Sequence, residues 1–233
     1  THLHTFTDVA ANELTGLVLT RDNRFIICVD MEGRIYFLDI FTQMKSYVLQ
    51  KAEAEQIEDL KLSRDDSFIV SIERDGTIKV WNFKTRELWH TFKSGGEKEF
   101  RTIDISPDNN TIASGAADRA IDLWDIVKKE HVCSFEKSHR GEVMCVSFNN
   151  DGTKLVSCCT QELICVWDVK QRALKYRIED AHENWITSVI FTNDGQYVIS
   201  CSNDKSIKIW DYEQEECIHM FANAHKERIK SIK

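Results

Sequence analysis

The sequence predicts an all-β chain made by repeating one four-stranded unit, and three observations predict it. Trp81, Trp124, Trp167 and Trp210 stand 43 residues apart, and each is followed by Asn or Asp. Ser71, Ser114, Ser157 and Ser200 keep the same step, as do Asp75, Asp118 and Asp204. Between these columns lie short runs rich in β-branched and aromatic residues, cut by Asx, Gly and Pro clusters, with no apolar stripe at helical spacing. A constant step without insertion means that each unit leans on its neighbour, so the 233 residues read as one domain.

Taken in order, residues 1–8 read as a lone strand. Phe6 shares a column with Leu49, Phe92, Phe135, Ile178 and Phe221, which is the fourth-strand position of the unit. Full units follow over 13–49, 56–92, 99–135, 142–178 and 185–221, and a further one starts at 228–233. The first strand of a unit alternates, as in Val143-Met144-Cys145-Val146-Ser147-Phe148. Asn149-Asn150-Asp151-Gly152 then forces a reversal, matched by Ser106-Pro107-Asp108-Asn109 and Thr192-Asn193-Asp194-Gly195. The second strand reads Lys154-Leu155-Val156-Ser157-Cys158. The third reads Ile78-Lys79-Val80-Trp81 and is entered through Asp75-Gly76, a strong hairpin signal. Lys51 to Glu58 is rich in Ala and Glu and suits a single helical turn, in a slot that reads as loop in the other units.

Bulk properties narrow the partners. A net charge of −8 and a pI near 5.5 argue against nucleic acid and anionic membrane surfaces, which call for a basic footprint. The longest apolar run, Phe25 to Val29, is too short to insert into a bilayer. No signal-peptide pattern opens the sequence. Cys28, Cys133, Cys145, Cys158, Cys159, Cys165, Cys201 and Cys217 include no C-x-x-C pair, so a structural zinc site is not expected. Most lie in apolar strands, which reads as buried thiols in a reducing, intracellular and cytoplasmic setting, the nucleus included.

A Trp-Asp pair closing each all-β repeat resembles the WD40-repeat family, over the whole chain. That resemblance implies a β-propeller of four-stranded blades: five complete units with partial strands at both ends, read as a segment of a larger, seven-bladed ring. An open array of this kind leaves bare strand edges and is expected to self-associate. The family's Gly-His dipeptide is matched by Ser138-His139, Ala181-His182 and Ala224-His225, where the His is kept and the Gly is not. Departures are specific. Leu38 replaces Trp in the first unit, Glu53 and Gly96 take the His column, and Gln161 stands where Asp is expected. Only the unit from His182 to Asp211 carries the complete set, so it is expected to be the most rigid and the first unit the loosest.

A buried Trp needs a partner for its indole N–H, and a strand Ser can accept it and pass a bond on to His. The resemblance implies such a structural network at Trp210, Ser200, His182 and Asp204. Partial copies are expected at His139, Ser157 and Trp167, at Ser114, Asp118 and Trp124, and at Ser71, Asp75 and Trp81. The same residue types could serve acyl transfer, but a catalytic set occurs once per site and no G-x-S-x-G elbow is present. His139, His182 and His225 fall in separate units, which disfavours a shared metal. Gly95-Gly96-Glu97-Lys98 lacks the spacing of a phosphate loop. No catalytic residue, cofactor or metal is therefore expected.

The resemblance further implies a peptide-binding rim built from the leading position of each unit, the residue two further on, and the residue before the turn Asp. By column these are Glu13, Gln56, Glu99, Glu142, Trp185 and Arg228; then Thr15, Glu58, Arg101, Met144, Thr187 and Lys230; then Met31, Arg74, Ala117, Thr160 and Asn203. An acidic rim with one large aromatic suits a basic or amphipathic peptide anchored by Trp185. The alternative is that Trp185 packs on its own loop. The function expected is a non-catalytic scaffold for protein–protein assembly. Trp167-Asp168-Val169-Lys170 also resembles the W-D-x-K ending of substrate receptors in cullin-type ubiquitin ligases. A propeller within a larger trafficking, ciliary or enzyme-containing protein is the remaining alternative.

Overall fold

The computed structural model describes residues 5–7, 9–10, 13–49, 56–94, 98–136 and 139–232. Twenty strands make five sheets of four, and no helix occurs among the described residues. The first sheet comprises β1 (Leu14–Leu19), β2 (Phe25–Asp30), β3 (Ile35–Asp39) and β4 (Met44–Leu49). The second comprises β5 (Ile57–Leu62), β6 (Phe68–Glu73), β7 (Thr77–Asn82) and β8 (Leu88–Lys93). The third comprises β9 (Phe100–Ile105), β10 (Thr111–Ala116), β11 (Ile121–Asp125) and β12 (Glu130–Phe135). The fourth comprises β13 (Val143–Phe148), β14 (Lys154–Cys159), β15 (Ile164–Asp168) and β16 (Ala173–Ile178). The fifth comprises β17 (Ile186–Phe191), β18 (Val198–Ser202), β19 (Ile207–Asp211) and β20 (Glu216–Phe221). Each sheet is an antiparallel meander in chain order.

The turn chemistry explains the meander. Asn23, Asp66, Asn109, Gly152 and Gly195 occupy one column and all have φ between 56° and 74°. Asn, Asp and Gly are the residues that tolerate this left-handed conformation, so the first reversal of every unit is written in its sequence. Gly33 and Gly76 serve the second reversal in the first two sheets, where Arg119, Glu162 and Lys205 accept positive φ in the other three. The third and fourth strands are joined with a bulge at Leu38, Trp81, Trp124, Trp167 and Trp210. The extra residue is on the fourth strand in every case, at Ser46, Trp89, Val132, Lys175 and Ile218, beside the Trp column of the third.

The chain divides into two compact parts, residues 1–97 and 98–233. In the first part Ile27, Val29, Ile35 and Phe37 of one sheet pack on Ile57, Leu60 and Ile69 of the next. In the second part Val156, Ile164 and Val166 pack on Ile186, Val189 and Val198 in the same manner. Burying apolar area at ~25 cal/mol per Å² is what holds sheet to sheet. The first sheet departs from this at β1. Leu14 and Leu17 are 42% and 53% exposed, although their counterparts Ile57, Leu60, Phe100, Ile103, Val143, Val146, Ile186 and Val189 are buried.

Three expectations meet the described residues only in part. Residues 5–7 carry no strand, and the remainder of the expected lone strand over 1–8 lies outside the described residues. The expected helical turn also lies largely outside them, at 51–55, and Ile57 and Glu58 belong to β5. Residues 228–232 form no strand, yet they run beside β17. Thr187 Oγ1 donates to Ile229 O at 2.6 Å, Ile229 N to Ser202 O at 3.4 Å, and Ser188 Oγ to Ile232 O at 3.4 Å.

Candidate functional site

The repeated polar residues meet most fully in the fifth sheet. Trp210 on β19 donates its indole N–H to Ser200 Oγ on β18 at 2.8 Å. Ser200 Oγ lies 2.6 Å from His182 Nε2, and His182 Nδ1 lies 2.8 Å from Asp204 Oδ2. An ionised carboxylate only accepts, so Nδ1 carries the proton and the Ser200 hydroxyl donates to the bare Nε2. The Asp is held in its turn by the Ser206 hydroxyl at 2.6 Å, the Ser206 amide at 2.8 Å and the Glu183 amide at 3.1 Å. Burial pushes the Asp204 carboxyl up, but the bonds from Ser206, His182 and Glu183 outweigh it and hold the group at about 2. Burial lowers His182 against the pull of Asp204.

The fourth sheet repeats the chain of bonds and stops one short. Trp167 Nε1 donates to Ser157 Oγ at 2.8 Å, and Ser157 Oγ lies 2.7 Å from His139 Nε2. His139 Nδ1 is buried with no hydrogen-bond partner among the described residues. The reason is Gln161, whose side chain is exposed at the turn where Asp204 sits in the next repeat. Burial, aided by the charge of Arg177, drives His139 down to about 3.

Earlier sheets keep the Trp–Ser bond and change the rest. Trp124 donates to Ser114 at 2.9 Å and Trp81 to Ser71 at 3.0 Å. Asp118 does not meet a His; Lys98 approaches it at 3.5 Å and reaches the buried Asp122 at 2.9 Å. Asp122 is also bonded by His131 and Ser134. Asp75 accepts the amide and hydroxyl of Thr77 at 3.0 and 2.7 Å, while the buried Glu73 takes Thr77 and Lys79 at 3.0 and 2.9 Å. In the first sheet the buried Asp30 binds Tyr36 Oη at 2.7 Å and Arg34 Nε at 2.8 Å. Burial and the bond to Asp30 push the Tyr36 phenol up to about 12. This second column of buried acids, Asp30 and Glu73, was not singled out from sequence. Its signal is an acid closing the apolar runs Phe25–Val29 and Phe68–Ile72.

Residues 23–213 match the family described as WDR36/Utp21 first beta-propeller. The chain belongs to that family. It is a WD40-type propeller domain, and each four-stranded sheet is a blade. No relative was found among curated proteins.

The rim columns adjoin in every blade. The residue before the turn donates its amide to the carbonyl of the leading residue in Met31–Glu13, Arg74–Gln56, Ala117–Glu99, Thr160–Glu142 and Asn203–Trp185, at 2.9 to 3.1 Å. Within residues 1–97, Glu13, Thr15 and Arg74 are exposed, and Gln56 and Glu58 half-buried. Within residues 98–233, Arg101 bonds Glu99 at 3.0 Å and Glu142 at 3.1 Å, which cancels part of the acidity expected there. Met144 packs on the core between the fourth and fifth blades. Thr187 is engaged by Ile229. Trp185 is 51% exposed, and Arg228 is exposed. The W-D-x-K stretch has Trp167 buried in the network and Asp168 accepting the Gln171 amide at 2.7 Å.

None of the eight cysteines is in a disulfide. Cys28, Cys158, Cys159, Cys165 and Cys201 are buried, and Cys217 is exposed. Burial pushes the Cys28 and Cys165 thiols up to about 11 and about 12, which makes them poor nucleophiles.

Proposed function

We propose that this propeller is a non-catalytic scaffold and that the rim of residues 98–233 binds a peptide of a partner protein, with Trp185 as the apolar anchor. The observation that carries it is a half-exposed indole on a backbone fixed by the Asn203 amide at 3.0 Å. A large aromatic held on a rigid frame gains contact area at low entropic cost, as in the anchors of known interfaces. Glu99 and Glu142 flank Arg101 with side chains 45% exposed, so two acids against one cation leave net negative charge on this rim for a basic residue of the peptide. The partner of this reading is a basic or amphipathic peptide in a reducing, intracellular compartment.

Support for the non-catalytic part comes from Ser200, which is fully buried and already accepts from Trp210 while bonding His182. A hydroxyl so engaged has no face for a substrate carbonyl. The test is affinity capture from cells followed by titration of each partner against Trp185→Ala. A loss of about tenfold or more in affinity is expected for a hot-spot aromatic. Unchanged affinity for every captured partner removes the anchor from this rim.

A further inference from the structure

Cys145 on β13 stands directly opposite Cys158 on β14. Residues so paired on antiparallel strands have Cα atoms ~4.5–5.5 Å apart, inside the ~4.4–6.8 Å that a disulfide spans. A bulge sets this register: Val143 faces Cys159, Met144 is the extra residue, and Cys145 then faces Cys158. The two thiols are in hydrogen-bonding contact. Both belong to the core between the fourth and fifth blades. Cys158 is fully buried and Cys145 half-buried, so a small solute reaches Cys145 first.

The other blades supply the comparison. The same pair of columns holds Gly16–Val29, Asp59–Ile72, Thr102–Gly115 and Ser188–Cys201. These positions approach closely. A Cβ added at Gly115 would lie 2.8 Å from Thr102 Cγ2, and one at Gly16 would lie 3.1 Å from Val29 Cγ1. Side chains placed here therefore point at each other, and two blades keep one member as glycine. The fourth blade alone puts a thiol at both positions. Its neighbours are paired otherwise: Cys159, Cys165 and Cys201 face Val143, Ser157 and Ser188.

We propose that Cys145 and Cys158 form a reversible redox switch, which hydrogen peroxide closes into a cross-strand disulfide. The Cys145 thiolate attacks one oxygen of the peroxide and breaks the O–O bond, leaving a sulfenic acid and, with the thiol proton, one water. The Cys158 sulfur then attacks the Cys145 sulfur. The S–O bond breaks, and hydroxide leaves with the Cys158 proton as a second water. Two thiols are oxidised and one peroxide is reduced. Burial and the contact with Cys145 hold the Cys158 thiol well above its ordinary range, so it resolves the sulfenic acid and does not start the reaction. In the reduced form Cys145 donates to Val189 O at 3.5 Å and Cys158 to Ile186 O at 3.6 Å. The disulfide removes both donors, so β17 loses two ties to the fourth blade. A dithiol reductant restores them by exchange. The switch holds whether or not Trp185 anchors a peptide.

The test treats the folded full chain with hydrogen peroxide, in a Cys217→Ser background that removes the exposed thiol. The chain is then unfolded, alkylated and mapped by mass spectrometry. Cys145 and Cys158 are expected to escape alkylation and to appear as one linked peptide pair, which dithiothreitol separates. Cys145→Ser is expected to abolish the link. Serine is what the fifth blade carries in that column, at Ser188, so the variant keeps its fold. Cys201→Ala is expected to leave the link intact. Hydrogen exchange across Ile186–Phe191 is expected to be about threefold faster in the oxidised form and to recover on reduction. A link from Cys145 to Cys201, a Cys145 sulfenic acid trapped by dimedone with no link formed, both thiols still reduced, or unaltered exchange in β17 overturns the proposal.

Discussion

Replacing Gln161 by Asp should stabilise the protein, because it completes a network that stops one residue short. The backbone for it is in place. The Gln161 amide bonds Cys159 Sγ at 3.4 Å, as the Asp204 amide bonds Ser202 Oγ at 3.0 Å. A buried, unsatisfied polar atom costs ~1–3 kcal/mol, and a bond to a charged partner contributes ~1.5–3 kcal/mol. Against this, a new carboxylate is partly desolvated. Asp204 offsets that with the Ser206 hydroxyl, whose counterpart is the buried Leu163, so one of its partners is missing in the fourth blade. The net expectation is a gain of ~1 kcal/mol, or about 2–4 °C in melting temperature for a chain of this size.

The assay is urea unfolding at several pH values, with the His139 imidazole followed by NMR. The unfolded chain binds the His139 proton near 6.5, whereas the folded chain resists it down to about 3. Stability from the neutral ring is therefore fully present above pH 6.5 and is lost as pH falls toward 3, by up to ~1.4 kcal/mol per pH unit. A carboxylate at 161 raises the folded-state value and makes this acid slope shallower. An unchanged midpoint together with an unmoved His139 titration would refute the reasoning.

Other substitutions test the remaining parts. Trp210→Phe removes the donor to Ser200 and should cost ~1–3 kcal/mol, read by urea unfolding; a smaller loss means the bond is not needed. Lys98→Met leaves the buried Asp122 with only His131 and Ser134, and a loss of ~3 kcal/mol is expected in the same assay. Arg119→Gly relieves a residue held at φ 74° and should stabilise by ~0.5 kcal/mol, since the strain removed slightly exceeds the added unfolded-state entropy. Leu17→Lys charges an apolar face that is 53% exposed, and sedimentation velocity should show less self-association than in the parent chain.

Much of this was legible because the repeat is long-range information written locally. Trp81, Trp124, Trp167 and Trp210 recur at one step, and every Ser they meet recurs at the same step, so the indole–hydroxyl pairs could be read as columns. The loss of Asp at 161 was visible as well, as a break in its column. Lys98 was not legible as the partner of Asp118 and Asp122. It stands outside any recurring column, and an ion pair across some twenty residues leaves no periodic trace. The partial neutralisation of the rim by Arg101 was hidden for a related reason. Column identity says which residues are neighbours, but not which way a long, flexible side chain swings.

By itself the sequence determined strand order, turn positions, the Trp–Ser pairs and the propeller class, since backbone geometry and a fixed repeat length leave little else for such a pattern to form. Only the tertiary structure decided that His139 Nδ1 ends without a partner among the described residues, that Asp30 and Glu73 are buried ion-pair centres, and that Cys145 and Cys158 meet across two strands. Those outcomes depend on side chains from different strands meeting in three dimensions. Their energies come from desolvation and distance, and neither quantity is encoded in any single stretch of chain.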